Sequence, residues 1–321
     1  MLVERLTDCS VIRTSPKTLH HGRGRSTTGS TRVGFRTRVN VTDDAAVLSP
    51  VFEIIPRGGR IWIDMFDDWS LGPNVNPYYR LRSVLGYRKV RELICRDDGV
   101  VAVTVNTNYM ARKLALPASH VVPNGVDSRL AAVHLSGNGR RRVIVLGQFF
   151  RFRTDYELLL RVGSAEWVDE FVIASPGTDP HMVQTVAQLR RQLGDRLTVH
   201  TWIDPQDLGP LIGPRTVGLI PHIVSDYTLS QDLMKAYMFL ALGMKVMCPL
   251  ELWPATLDRE RAFLIGPGAD LENSVAEWLE VSAFTDDERQ RFSIINSWDS
   301  RALQVADVLR SSGWPVAAGG Y

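Results

Sequence analysis

Residues able to do chemistry gather at three places along the chain. Near the start, His20, His21, Arg23 and Arg25 are followed by Arg32, Arg36 and Arg38 in a stretch rich in glycine, serine and threonine. Such a basic stretch suits an anionic acceptor, nucleic acid or a phospholipid-linked glycan, and a histidine pair there could serve as a base if its loop closed over a site. Further on, Asp64, Asp67 and Asp68 stand at the end of the apolar run Arg60–Phe66. Carboxylates at a strand's carboxyl end suit general-base work, although adjacent residues such as Asp67 and Asp68 cannot both point into one site. Cations form the third group, with Arg151 and Arg153 just beyond Gly147 and Lys235 in a mostly apolar run.

Other chemistries lack their motifs. The chain has no Gly-x-x-x-x-Gly-Lys-Ser/Thr loop, no Gly-x-Ser-x-Gly elbow, no His-Glu-x-x-His and no Cys-x-x-Cys pair. His181, His200 and His222 are scattered, and no metal site is expected. Cys9, Cys95 and Cys248 are odd in number and widely spaced, which fits a reduced, cytoplasmic setting better than a disulfide framework. No apolar run reaches the ~18 residues of a membrane span, and the charged opening residues do not read as a secretory signal.

With 321 residues, 45% hydrophobic and 22% charged, the chain can bury a sizeable core, and its length suggests two domains. The net charge of +2 is unevenly spread, for residues 1–60 carry +5 and leave −3 to the rest.

The elements that must position these groups alternate in type. Strand patterns fall at Ala45–Pro50, Arg60–Phe66, Gly99–Val105 and Ser119–Pro123. Helical patterns fall at Pro77–Ile94 and, with Asn106 as its cap, up to Leu114. A Gly-Asn-Gly stretch followed by three arginines marks residues 128–141 as a linker. Beyond it, strands at 143–146, 171–174, 197–201, 217–220, 245–248 and 263–265 alternate with helices at 155–162, 180–193, 207–212, 232–242, 271–281 and 286–309. Short apolar strands between amphipathic helices predict an α/β fold with parallel sheets covered on both faces. Ligands of such sheets sit beyond the strands' carboxyl ends.

Several segments resemble the GT-B glycosyltransferases related to glycogen synthase and the bacterial cell-surface transferases. Val121–Asp127 (VVPNGVD) is similar to the Pro-Asn-Gly signature closing that family's first lobe, where Pro123 stiffens the turn and Gly125 could take positive φ. Val143–Arg153 (VIVLGQFFRFR) stands where the family has its first donor-lobe strand, and Gly218–Pro249 follows its "P…K..E.(L/M)A.G.PV" block through Pro221, Lys235, Leu240, Ala241, Gly243 and Val246. Trp62–Trp69 (WIDMFDDW) resembles a "YDxxDDW" segment, and Ser297–Arg301 resembles an "SW..R" helix start with Trp298 packing between lobes.

The resemblance implies two Rossmann-like lobes with a cleft between them. It assigns 1–127 to a shortened acceptor lobe, 142–295 to a donor lobe and 296–321 to a helix crossing back. The implied activity is transfer of a sugar from a nucleoside-diphosphate sugar, a UDP-sugar being the expected donor, to an acceptor hydroxyl, with neither metal nor other cofactor. Gly147, Arg151, Arg153 and Lys235 would hold the diphosphate; Pro221, Ser230, Gln231 and Asp232 would line the donor-site loop; Asp67 or Asp68 would be the base of an inverting reaction; His20, His21, Arg23 and Arg25 would face the acceptor, be it glycan, protein, small molecule or nucleic acid.

The chain departs from the family at two positions, with Ser230 and Met238 where glutamates usually stand, the second of these binding the donor ribose. A non-catalytic binding protein of this fold, and a phage-type enzyme glycosylating a modified DNA base, are therefore the alternative readings.

Overall fold

The computed structural model describes residues 10–13, 38–41, 61–73, 75–95, 101–175 and 179–314. His20, His21, Arg23, Arg25 and the expected strand Ala45–Pro50 lie outside them. The chain divides into two compact units, one of residues 1–123 with 301–321 and one of residues 124–300.

In the first unit, β1 (Ser10–Arg13) pairs in parallel with β2 (Arg38–Val41), and β3 (Ile61–Met65) with β4 (Val101–Val105). Helix α1 (Pro77–Ile94) begins where the side chain of Asn76 accepts the amide of Tyr78 at 2.8 Å and Pro77 takes the first turn. Helix α2 (Asn108–Leu114) begins two residues later than expected. Thr107, not Asn106, has the extended backbone of a cap and accepts the Met110 amide at 3.2 Å. The expected strand Ser119–Pro123 is reduced to one bridge, Val121 to Val105, after a 3-10 turn at Ala118–His120. Pro117 and Pro123 have no N–H to give a ladder. Ile63, Met65, Val90, Val103 and Met110 form this unit's core.

The second unit is built on six parallel strands: β5 (Arg142–Leu146), β6 (Glu170–Ala174), β7 (Leu197–His200), β8 (Thr216–Leu219), β9 (Lys245–Pro249) and β10 (Ala262–Ile265). Their order is β10-β9-β8-β5-β6-β7. Helices α3 (Tyr156–Gly163), α4 (Pro180–Leu193), α5 (Asp226–Leu229), α6 (Met234–Ala241), α7 (Asn273–Leu279) and α8 (Asp286–Ile295) follow in chain order. Each central strand is buried along its length, Ile144 contributing to the core on one face and Val143 and Val145 to the other. This is why these strands read as unbroken apolar runs rather than alternating ones.

Of the helix expected at 207–212, residues 207–211 belong to a 3-10 helix, Pro205–Leu211, and Ile212 is already extended, because Gly209 and Pro210 break a longer run. The pattern at 286–309 splits at Asn296 and Ser297, and α9 (Trp298–Ser311) starts afresh with the Ser297 hydroxyl accepting the Ser300 amide at 3.0 Å. Residues 128–132, expected in a linker, form a 3-10 helix with Leu130 buried in the unit's core.

Successive strands run outward from β5 to β7 on one side and from β8 to β10 on the other. The order therefore reverses between β5 and β8, whose connections leave to opposite faces and open a crevice beyond their carboxyl ends.

Candidate functional site

Gly147 follows β5 directly, its backbone turned to φ +106° and its amide bonded to the Ala174 carbonyl at 2.9 Å. That backbone suits glycine, and the space beside it is taken. A β-carbon on Gly147 would stand 2.8 Å from Cε and 3.0 Å from Nζ of Lys235. Lys235 is in the first turn of α6, whose N-terminus at Leu233 has no side-chain cap. Ala236, Tyr237, Phe239 and Leu240 anchor that helix in the core, so the lysine is aimed at the end of β5 by a rigid element.

The segment from Gln148 to Thr154 closes on itself and on the end of β8. Phe150 N donates to the Thr154 hydroxyl at 3.1 Å, and Thr154 N to the Phe150 carbonyl at 2.8 Å. Asp155 N donates to the Pro221 carbonyl at 2.8 Å, Ile223 N to the Arg153 carbonyl at 2.8 Å, and Thr154 bridges to His222. The rings of Phe150 and Phe152 stack at 5.4 Å, with the Arg153 guanidinium 5.2 Å from the Phe150 ring and donating to the Gln148 carbonyl at 3.2 Å.

This fold of the loop brings the charge of Arg153 to bear on both Lys235 and His222. Burial first, and then Arg153, lower the Lys235 ammonium to about 8. Among the described residues no carboxylate counters it. The His222 imidazole is held well below its usual value by burial, by Lys235 and by Arg153, so it is neutral near neutral pH. Its Nδ1 is buried without a hydrogen-bond partner. Two cations and a neutral imidazole gathered beside Gly147 make a local concentration of positive charge, which an anion would relieve.

The expected residues separate in this setting. Arg151 is exposed, and its charge is not among those acting on Lys235 or His222. Pro221 is buried at the end of β8, holding Asp155 through its carbonyl. The first turn of α3 is closed by Asp155, whose carboxylate accepts the Leu158 amide at 2.8 Å. Ser230 is fully buried with its hydroxyl donated to the Tyr227 carbonyl at 2.7 Å; Gln231 is half-buried. Met238 packs against the core.

Asp232 fastens the Pro-Asn-Gly turn. Its carboxylate accepts the Asn124 amide at 2.6 Å and the Tyr237 hydroxyl at 3.2 Å, and its carbonyl accepts the Asn124 side-chain amide at 3.0 Å. Gly125 does not have positive φ. A glycine is required there because Trp298 lies against it, its ring 2.7 Å from where a β-carbon would be. Val126 N to the Asn296 carbonyl, 2.8 Å, and Trp298 N to the Val126 carbonyl, 3.2 Å, complete the clasp.

In the first unit the three carboxylates divide their roles. Asp64 is buried and accepts the Thr104 hydroxyl at 2.5 Å, while Thr104 accepts the Trp62 indole at 2.8 Å. Asp68 is fully buried, caps the 3-10 turn Trp69–Leu71 through the Ser70 amide and hydroxyl, and pairs with Lys113. Asp67 is half-buried just past β3, its carbonyl accepting the Tyr87 hydroxyl at 3.0 Å.

His222 was not singled out by sequence. The signal that marks it, its place one residue past Pro221 at the strand-order reversal, depends on a topology that spacing does not contain. Among the described residues no group of three or more His, Cys, Asp or Glu is arranged to hold a metal ion.

No family model and no curated protein sequence matches the chain. Solved structures do match. AviGT4, a glycosyltransferase involved in avilamycin A biosynthesis, is 12% identical with a TM-score of 0.50 over 83% of this chain and 87% of its own. Anabaena Alr3699/HepE in complex with UDP-glucose is 14% identical with a TM-score of 0.54 over 86% and 79%. The apo form of the lipopolysaccharide outer core galactosyltransferase WaaB is 11% identical with a TM-score of 0.56 over 85% and 75%. The chain thus has the α/β fold, with parallel sheets, of GT-B glycosyltransferases.

Proposed function

We propose that this chain transfers a sugar from a nucleoside-diphosphate sugar to an acceptor hydroxyl, with the diphosphate held at the end of β5. The reading is carried by the Lys235 ammonium, pressed against Gly147 beside Arg153 with no carboxylate countering it among the described residues. A desolvated cation is costly to keep, and a diphosphate placed there would neutralise it with charge-assisted hydrogen bonds. A UDP-sugar is the donor we assign, the HepE structure being a complex with UDP-glucose.

In the reaction, the bond between the sugar's anomeric carbon and the diphosphate oxygen breaks, and its electron pair leaves with the phosphate. Lys235 and Arg153 stabilise that growing charge beside Gly147, whose missing side chain leaves the lysine its place, and fixed groups need no reorganisation as it forms. The acceptor oxygen bonds to the anomeric carbon, and its proton passes to a carboxylate. For an inverting transfer we assign Asp67 as that base, because the known partners of Asp68 serve the fold. Asp232 and Ser230 shape the donor loop from behind rather than reaching the ligand. Release of UDP from a UDP-sugar in the presence of an acceptor mixture, lost in Lys235→Met, would support the reading. Undiminished turnover in that variant would reject it.

A second reading draws on Ser230 and Met238, which fill the two glutamate positions with groups turned into the protein. The chain would then bind a nucleotide sugar without transferring it. Tight UDP-sugar binding with no turnover across a broad acceptor panel would favour that outcome.

A further inference from the structure

Helix α1 has one face that the described residues of its own unit leave exposed. Tyr78, Leu81 and Leu85 are 67%, 57% and 49% exposed, and they fall on successive turns of one stripe. The opposite face is spent on the fold through Ser83, Gly86, Tyr87 and Val90. Charge flanks the apolar stripe on both sides. The Arg82 guanidinium lies 5.8 Å from the Tyr78 ring, Arg88 is exposed, and Lys89 follows, paired at 3.4 Å with Glu92 on the same helix.

We propose that this face of α1 docks on the surface of an anionic phospholipid bilayer, with Tyr78, Leu81 and Leu85 entering the headgroup boundary and Arg82, Arg88 and Lys89 meeting lipid phosphates. Charge complementarity selects the partner. A helix lying in the plane of an anionic interface sets apolar tips below its cations, and an aromatic ring fits the headgroup level. A nucleic acid would satisfy the cations but leave two exposed leucines without a partner, since phosphate contacts reward charge alone. The helix lies on the surface rather than crossing it: no described helix is long and apolar enough to span a bilayer. The inference is independent of the donor site, which is in the other unit.

The experiment is co-sedimentation of the full chain with phosphatidylcholine vesicles, with and without about 30% phosphatidylglycerol, at about 150 mM salt. Binding should need the anionic lipid and weaken as salt rises. The triple variant Tyr78→Ser, Leu81→Ser, Leu85→Ser should lose at least about tenfold in partitioning, since it removes only exposed apolar groups. Arg82→Gln with Arg88→Gln should lose a similar amount and most of the salt dependence. Circular dichroism and melting temperature of each variant must match the parent for its result to count, and a single Leu81→Ser replaces any triple variant that fails this. Equal binding by parent and apolar variant, no binding to anionic vesicles, or salt-sensitive duplex DNA binding that the apolar variant retains in full would each overturn the proposal.

Discussion

The Lys235 ammonium lies 3.0 Å from the point where a β-carbon on Gly147 would stand, so any side chain at residue 147 would push the tip of the lysine out of its place at the strand end. Gly147→Ala meets two obstacles at once, a φ of +106° and the lysine's Cε at 2.8 Å. The variant should lose about 1–3 kcal/mol of stability, measured by urea denaturation. It should also displace the ammonium and weaken nucleotide binding. Unchanged stability and binding would mean the two residues are not coupled.

Lys235 gives the site a pH signature. Its folded value of about 8 lies below the ordinary 10.5. Below about pH 8 the group is charged in both states and folding bears the cost of desolvating it; as pH rises from 8 toward 10.5 that cost disappears, so the ligand-free protein gains stability. Anion binding runs the opposite way, being fullest below pH 8 and weakening above it as the ammonium loses its proton. Lys235→Met should abolish the pH dependence of binding in that window and raise ligand-free stability at neutral pH by about 1–3 kcal/mol. A melting temperature that falls in this variant would contradict the account.

The paired carboxylates should separate by phenotype. Asp68→Ala strands the Lys113 cation and removes a cap from Trp69–Leu71, so it should cost about 3–5 kcal/mol in stability. Asp67→Asn should lower kcat, as expected of a base, at a smaller cost in stability than Asp68→Ala. If Asp68→Asn retained the parent's stability and Asp67→Asn full turnover, the division of roles would fail.

The Pro-Asn-Gly turn offers a test remote from charge. Gly125→Ala drives a methyl group into the Trp298 ring and should destabilise the chain by about 2–4 kcal/mol. The second change Trp298→Leu should recover part of that loss, which a double-mutant cycle would read as coupling. Purely additive effects would contradict the clasp.

Much of the architecture was legible in the sequence because buried parallel strands write themselves as unbroken apolar runs. Val143–Leu146 and Lys245–Cys248 stand within one residue of where they were expected. Failures occurred where backbone chemistry overrode pattern: a threonine took the cap expected of Asn106, two prolines denied the strand at 119–123, and Ser297 broke one long helix into two. Gly125 was foreseen as special for the wrong reason, since positive φ is a local property and crowding by Trp298 is a long-range one. The spacing of its block singles out Lys235, but that the charge of Arg153 acts on it, and that His222 lies within reach of both, is not written in the spacing, because it follows from how the 148–154 loop closes on the end of β8.

The proposed activity requires a nucleoside diphosphate to bind where Gly147, Arg153 and Lys235 meet. Calorimetric titration of UDP into the full chain and into Lys235→Met and Arg151→Gln at about pH 7 tests it most directly. Binding to the parent should be saturable, weaker by at least about tenfold on Lys235→Met, roughly 1.4 kcal/mol, and little changed on Arg151→Gln. Parent-like affinity in Lys235→Met, or no binding of UDP or any other nucleoside diphosphate to the parent, would contradict it.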